Sequence, residues 1–188
     1  MSLLDVTVLR SYHLNIREGK QEGNLIIWKD VVGGRNYVIG VDVAGGYVKG
    51  DFSVASVLDT RTLEYVACLR GRIPPDLFAE QLYHLAERYN NALTAVERAG
   101  HGYQVLHILS GKPSANLYCY MDMDNPQGAV ELGWKTTRKS KPIMVSSLVA
   151  ALRSNDLISW SENLVREASS LVYQGQEIKS SEHDDEWD

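Results

Sequence analysis

The stretch Tyr37-Val38-Ile39-Gly40-Val41-Asp42-Val43-Ala44-Gly45-Gly46 decides how the rest of the chain is read. Its β-branched, almost continuously apolar character predicts a central strand covered on both faces and ended by the glycine pair. Asp42 interrupts that run. A carboxylate inside a sheet is costly unless it is paired, hydrogen-bonded or bound to a metal. A later apolar run, Ala92 to Val96, ends on a second carboxylate, Glu97. If a crossover sets these two strands parallel and adjacent, the carboxylates sit about 5 Å apart. Such a pair repels itself unless a cation lies between. Hard oxygen donors make Mg2+ or Mn2+ the natural partner. Structural roles are the alternatives: Asp42 capping the Gly45-Gly46 turn, and Glu97 pairing with the adjacent Arg98.

Working outward, Leu25 to Trp28, Phe52 to Leu58 and Leu63 to Arg70 read as strands, and the short Asp59-Thr60 turn predicts antiparallel pairing of the last two. Pro74-Pro75-Asp76 opens a helix whose face is Leu77, Phe78, Leu82, Leu85, Ala86 and Tyr89. Gly100 and Gly102 loosen the chain before a helix over 103–109, and Leu117 to Met121 is a fifth strand. Residues 122–133 are polar and turn-rich, and two further helices are expected over 142–152 and 161–173. This order predicts an α/β domain with a central mixed sheet of five or more strands, flanked by helices. Residues 1–24 are weakly patterned and read as a lead-in to a domain spanning 25–188.

At 188 residues, with 44% hydrophobic and 23% charged residues, the chain has the make-up of one ordinary globular domain. No run approaches the roughly 20 apolar residues of a membrane span, and the N-terminus lacks the pattern of a secretory signal. Cys68 and Cys119, each in an apolar run, read as buried thiols in a reducing compartment. The net charge of −5 conceals two opposed concentrations, so it does not exclude a polyanionic partner. Glu182, Asp184, Asp185, Glu186 and Asp188 crowd the end of the chain, and Asp184 or Asp185 could complete a carboxylate cluster. Lys135, Arg138, Lys139 and Lys141, with Trp134 and intervening hydroxyl residues, suit phosphate contact beside one flat packing group. An exposed basic loop before a helix is the plainer alternative. Asp51, His101 and His183 are auxiliary candidates, for metal-proximal or acid–base roles.

Taken in order, Tyr37 to Gly46, Asp51-Phe52-Ser53-Val54-Ala55, Ala95-Val96-Glu97-Arg98-Ala99-Gly100-His101-Gly102, Gly133-Trp134-Lys135-Thr136-Thr137 leading into Lys139 to Met144, and His183-Asp184-Asp185 resemble the nuclease domain of a tailed-bacteriophage terminase large subunit. The resemblance runs from Leu25 to the end. It implies a ribonuclease H-like fold in which Asp42, Glu97 and one aspartate of the Asp184-Asp185 pair hold two metal ions, Mg2+ or Mn2+. It further implies cutting of concatemeric double-stranded DNA during genome packaging, by two-metal phosphodiester hydrolysis. Lys135, Arg138, Lys139 and Lys141 would approach the duplex backbone, with little sequence specificity. Implied partners are a packaging ATPase domain, a small terminase subunit and the portal, in the cytoplasm of an infected bacterial host. The chain has no Gly-rich phosphate loop followed by Lys-Ser/Thr, so the resemblance covers the nuclease domain alone. Rival readings are a resolvase- or transposase-like nuclease of the same fold, a kinase-type ATP-binding fragment, and a DNA-binding module without catalysis.

Overall fold

A computed structural model of the chain describes residues 3–121, 130–174 and 177–180. The elements run α1 (Val6–Asn15), β1 (Lys20–Glu22), β2 (Leu25–Ile27), β3 (Tyr37–Asp42), β4 (Ser53–Asp59), β5 (Glu64–Gly71), α2 (Pro75–Arg88), β6 (Leu93–Val96), α3 (Gly102–Ser110), β7 (Cys119–Met121), β8 (Val130–Leu132), α4 (Ser140–Arg153), α5 (Glu162–Ser170), β9 (Leu171–Gln174) and β10 (Glu177–Ser180). Six strands make one sheet in the order β1-β2-β5-β4-β3-β6. All neighbours in it are antiparallel except β3 and β6, which are parallel. The parallel pair exists because α2 carries the chain back across the sheet between β5 and β6. Pro75 at its first turn, where an N–H would find no helical partner, starts that helix.

The expected fifth strand is only partly a sheet strand. Leu117 forms a single parallel bridge to Thr94, after which β7 leaves to pair with β8 in a separate hairpin. Beyond β6, the sheet edge is therefore closed by two bridges, Thr94–Leu117 and Glu97–Trp134.

The prediction of a strand covered on both faces needs correcting for β3. Its burial alternates, with Tyr37, Ile39 and Val41 buried while Val38 and Asp42 are half-buried and Gly40 is exposed. The helices α2 and α3 cover the first face, contributing Phe78, Leu82, Leu85, Val105 and Leu109 to the main core. The second face of β3 is left partly open. β5 is instead buried on both faces over nearly its whole length, because a second helical layer attaches at its start: the Tyr65 N–H donates to the Ile158 carbonyl and the Ile158 N–H to the Leu63 carbonyl, each at 2.9 Å.

That second layer includes residues expected as a lead-in. Asp5 caps α1 by accepting from the Val8 N–H at 2.9 Å. Tyr12 then packs with Leu3, Leu4, Val145, Val149, Leu152 and Val165 in a second core shared with α4 and α5. α1 escaped notice because Val6 and Leu14 face outward, leaving no clean apolar stripe. The last predicted helix is shorter than expected. α5 ends at Ser170, and Leu171 begins a strand, in keeping with the β-branched and aromatic residues Val172 and Tyr173. Among the described residues, no helix is long and apolar enough to cross a membrane.

Candidate active site

Strand pairing puts Asp42 and Glu97 on one face. In the parallel pair Val41 lies opposite Val96, and both are buried toward α2 and α3. The next residue of each strand points the other way, because side chains alternate across a sheet. Asp42 and Glu97 are those next residues. The Glu97 N–H donates to the Val41 carbonyl at 2.8 Å, so the pairing continues past the formal end of β6. Adjacent strands lie about 4.8 Å apart, which brings the two half-buried carboxylates side by side at the carboxyl ends of both strands.

The electrostatics follow from this placement. The Asp42 carboxyl is pushed up to about 6, chiefly by burial and then by the charge of Glu97, with a smaller contribution from Asp51 and an opposing one from the Val43 N–H. The structural alternatives are otherwise provided for. Ser53, rather than Asp42, ties the turn after β3, its Oγ accepting from the Ala44 N–H at 3.0 Å. Arg98 pairs with Glu131, and the guanidinium holds that carboxyl below its ordinary range. The adjacent cation is thus committed elsewhere, while Glu97 faces a second carboxylate.

Close backbone approach shapes the rest of the site. A Cβ on Gly102 would fall 1.9 Å from the Glu97 carbonyl oxygen, so only glycine lets α3 start against the backbone of that residue. Gly102 therefore does not loosen the chain, as its composition suggested; it is buried and begins the helix. Gly133, at φ +84, allows the following residue to reach the sheet edge, where the Trp134 N–H donates to the Val96 carbonyl at 2.8 Å and the Arg98 N–H to the Trp134 carbonyl at 2.7 Å. Opposite residues of such a bridge share a face, so Trp134 stands beside Glu97. Its indole packs near Tyr118 (centroids 5.8 Å apart) with Nε1 buried, leaving part of the ring outward.

Lys135, Arg138, Lys139 and Lys141 follow and are all exposed. Reciprocal bonds from the Thr137 N–H to Ser140 Oγ (2.8 Å) and from the Ser140 N–H to Thr137 Oγ1 (3.0 Å) pin this strip at the start of α4. His101 is exposed just before α3, and a Cβ on Gly45 would lie 2.9 Å from its Nε2, which places the imidazole against the loop after Asp42. Asp51 is exposed in the same loop. The expected closing ligands Asp184 and Asp185, and His183, lie outside the described residues.

The donor set fits a hard divalent cation. Asp42 and Glu97 offer carboxylate oxygens, and the raised Asp42 value marks a pair short of positive charge. Among the described residues no third His, Cys, Asp or Glu completes a cluster with them. Mg2+ tolerates this, since it keeps several waters and binds through one or two carboxylates. Sequence reading missed one neighbouring feature: Arg70 and Arg72 stack on Phe52. The i, i+2 spacing of two arginines on a strand was the available signal.

Five antiparallel strands with β6 joined to β3 in parallel, and the carboxylates at the switch between them, make a mixed α/β sheet of the ribonuclease H-like type. Solved structures it is similar to include nuclease domains of phage large terminases. The large terminase nuclease from thermophilic phage G20c with bound cobalt matches with a TM-score of 0.71 at 18% identity, over 95% of this chain and 90% of that one. The same nuclease with bound magnesium matches at 0.65 and 15%, over 92% and 87%. The Thermus phage P74-26 large terminase nuclease domain matches at 0.68 and 17%, over 95% and 88%. No family model and no curated protein matches the chain. At such identities the likeness establishes the fold.

Proposed function

We propose that this chain is a divalent-metal-dependent endonuclease domain that cuts double-stranded viral DNA during genome packaging. The observation that carries the reading is the Asp42–Glu97 pair: two carboxylates on neighbouring parallel strands, sharing an open face and raising the Asp42 value to about 6. The nuclease character of the similar structures, one with cobalt and one with magnesium, supports it. Asp42 and Glu97, with Asp184 or Asp185, would hold two Mg2+ or Mn2+ ions. When bound, such ions supply Lewis-acid stabilisation of phosphate charge and lower the pKa of water.

The remaining work falls to the chain's own side chains. Exposed Lys135, Arg138, Lys139 and Lys141 hold the backbone phosphates beside the carboxylates, while Trp134 packs at the edge of the site. Phosphate contacts carry no sequence information, so cutting is expected at many sequences. His101, against the loop that follows Asp42, stands where a proton can be exchanged near the reacting phosphate. By likeness to a large terminase, the partners are a packaging ATPase domain, a small terminase subunit and the portal, in the cytoplasm of an infected bacterium.

The test is incubation with supercoiled plasmid while Mg2+ and Mn2+ are titrated separately, alongside a chelator control and Asp42→Asn. Nicking and linearisation that need metal and vanish in the variant are expected. Equal cleavage by parent and variant, or none at any metal concentration, would overturn the proposal.

A further inference from the structure

The loop that follows Asp42 carries an apolar tip beyond the carboxyl ends of β3 and β6, where the two carboxylates lie. Tyr47 and Val48 are 69% and 89% exposed, and exposed Lys49 comes next. A single exposed apolar side chain is ordinary. Two in succession, one of them aromatic, on a loop fastened at several points are a different matter, because small polar residues close a turn equally well.

The fastenings are specific. Gly46, at φ +75, seats the loop on the segment leading into α2: a Cβ there would fall 2.7 Å from the Ile73 carbonyl oxygen and the Pro74 nitrogen. The Gly50 N–H donates to the Tyr47 carbonyl at 3.0 Å, which closes a tight turn over 47–50. The Gly50 carbonyl accepts from Arg72 Nε at 2.6 Å. The Tyr47 side chain is also placed. A Cβ on Gly45 would lie 2.8 Å from Tyr47 Cδ2 and 2.9 Å from His101 Nε2, so the phenol ring rests on bare glycine backbone beside the imidazole. Most of the ring remains open to solvent.

An aromatic ring already held in position has little freedom left to lose when something binds it. Beside carboxylates that would hold the cleaving ions, the planar groups within reach are nucleobases, and every base offers a face for stacking. Lys49 adds a cation for an adjacent phosphate.

We infer that Tyr47 is a base-stacking residue: Val48 enters the duplex as an apolar wedge, and the Tyr47 ring, braced by His101, stacks on the base so uncovered. Apolar wedges between base steps, with partial unstacking, are a general device of DNA-bending proteins. The inference rests on the proposed nuclease function and adds a substrate class. Duplex that unstacks readily, at a pyrimidine–purine step or a mismatch, is held better than stiff, fully paired duplex. Tyr47 acts here as a positioning residue, so its effect is present without metal.

The test is binding of the whole chain, in chelator so that nothing is cut, to two labelled duplexes of equal length. One is fully paired and the other has a single central mismatch. The parent is expected to bind the mismatched duplex about tenfold more tightly. Tyr47→Ala should bind both alike, and so should Tyr47→Leu, which keeps an apolar side chain without a flat ring. Tyr47→Phe keeps the ring and should keep the preference. Both duplexes present the same phosphates, so a role in folding or backbone contact would weaken both equally and leave the ratio unchanged. A parent without preference, Ala and Leu variants that retain it, or a Phe variant that loses it overturns the stacking role. Metal-dependent plasmid nicking by the parent reads the nuclease proposal separately. Nicking without a mismatch preference removes only the stacking role, whereas a preference that depends on Tyr47, in a parent that never nicks, removes only the nuclease.

Discussion

Replacing Asp42 by Asn should abolish nicking and, at the same time, make the metal-free protein more stable. In the folded state the Asp42 carboxyl rises from its ordinary 3.8 to about 6, through burial and the charge of Glu97. A difference of about 2 in pKa corresponds to about 3 kcal/mol. Asp42 is only half-buried, and solvent screening reduces this to about 1–2 kcal/mol. The sign follows from proton linkage: between the two values the folded state holds the proton more tightly than the unfolded one. Stability therefore falls as pH rises through about 6, and the whole penalty is present near neutrality. Asn keeps a side-chain oxygen to accept from the Val43 N–H and removes the charge that confronts Glu97. Thermal unfolding in chelator near pH 8 should show the variant melting about 2–6 °C higher, with the gain gone near pH 4. Added Mn2+ should raise the parent's midpoint more than the variant's, because the ion binds the folded carboxylate pair. A variant that melts at or below the parent near pH 8 would refute the claim that Asp42 is a repelled carboxylate.

Gly102→Ala should destabilise the fold by about 2 kcal/mol, read from a urea midpoint, since its Cβ would fall 1.9 Å from the Glu97 carbonyl oxygen. It should lose nicking as well, because relief of that clash moves the backbone bearing Glu97. Glu131→Gln frees Arg98 from its ion pair, and the released cation beside Glu97 should raise the Mn2+ concentration needed for half-maximal nicking by roughly tenfold. An unchanged metal requirement would show that the Arg98–Glu131 pair does not shape the site. Lys135→Ala/Lys139→Ala should make the salt dependence of DNA binding shallower by about 2 in log–log slope, while thermal unfolding stays as in the parent because both side chains are exposed.

Much of this was legible without a structure where the information is local. The run Tyr37 to Val43 is apolar and β-branched, the Pro74-Pro75 start and the apolar face of α2 lie within one segment, and Asp42 and Glu97 each end an apolar run. A charge that ends such a run is conspicuous because its burial is costly. Those features sufficed for the fold class and for singling out Asp42 and Glu97 as candidates. The features that escaped depend on residues distant in the chain. α1 has no clean stripe, and its burial is supplied by α4 and α5, well over a hundred positions later.

Single-sequence periodicity also could not decide which face of β3 is covered. That depends on α2 and α3 packing on the side of Ile39 and Val41, which leaves Asp42 on the other side with Glu97. The commitment of Arg98 to Glu131 rather than Glu97, and the stacking of Arg70 and Arg72 on Phe52, are likewise outcomes of strand register. The sequence by itself determined the elements with a clear local pattern, β2 to β6 with α2 and α3, and the residues too polar for their surroundings, because propensity and periodicity act over a few neighbours. Only the tertiary structure decided which of those residues meet, because a one-residue change in register sends every side chain of a strand to the opposite face.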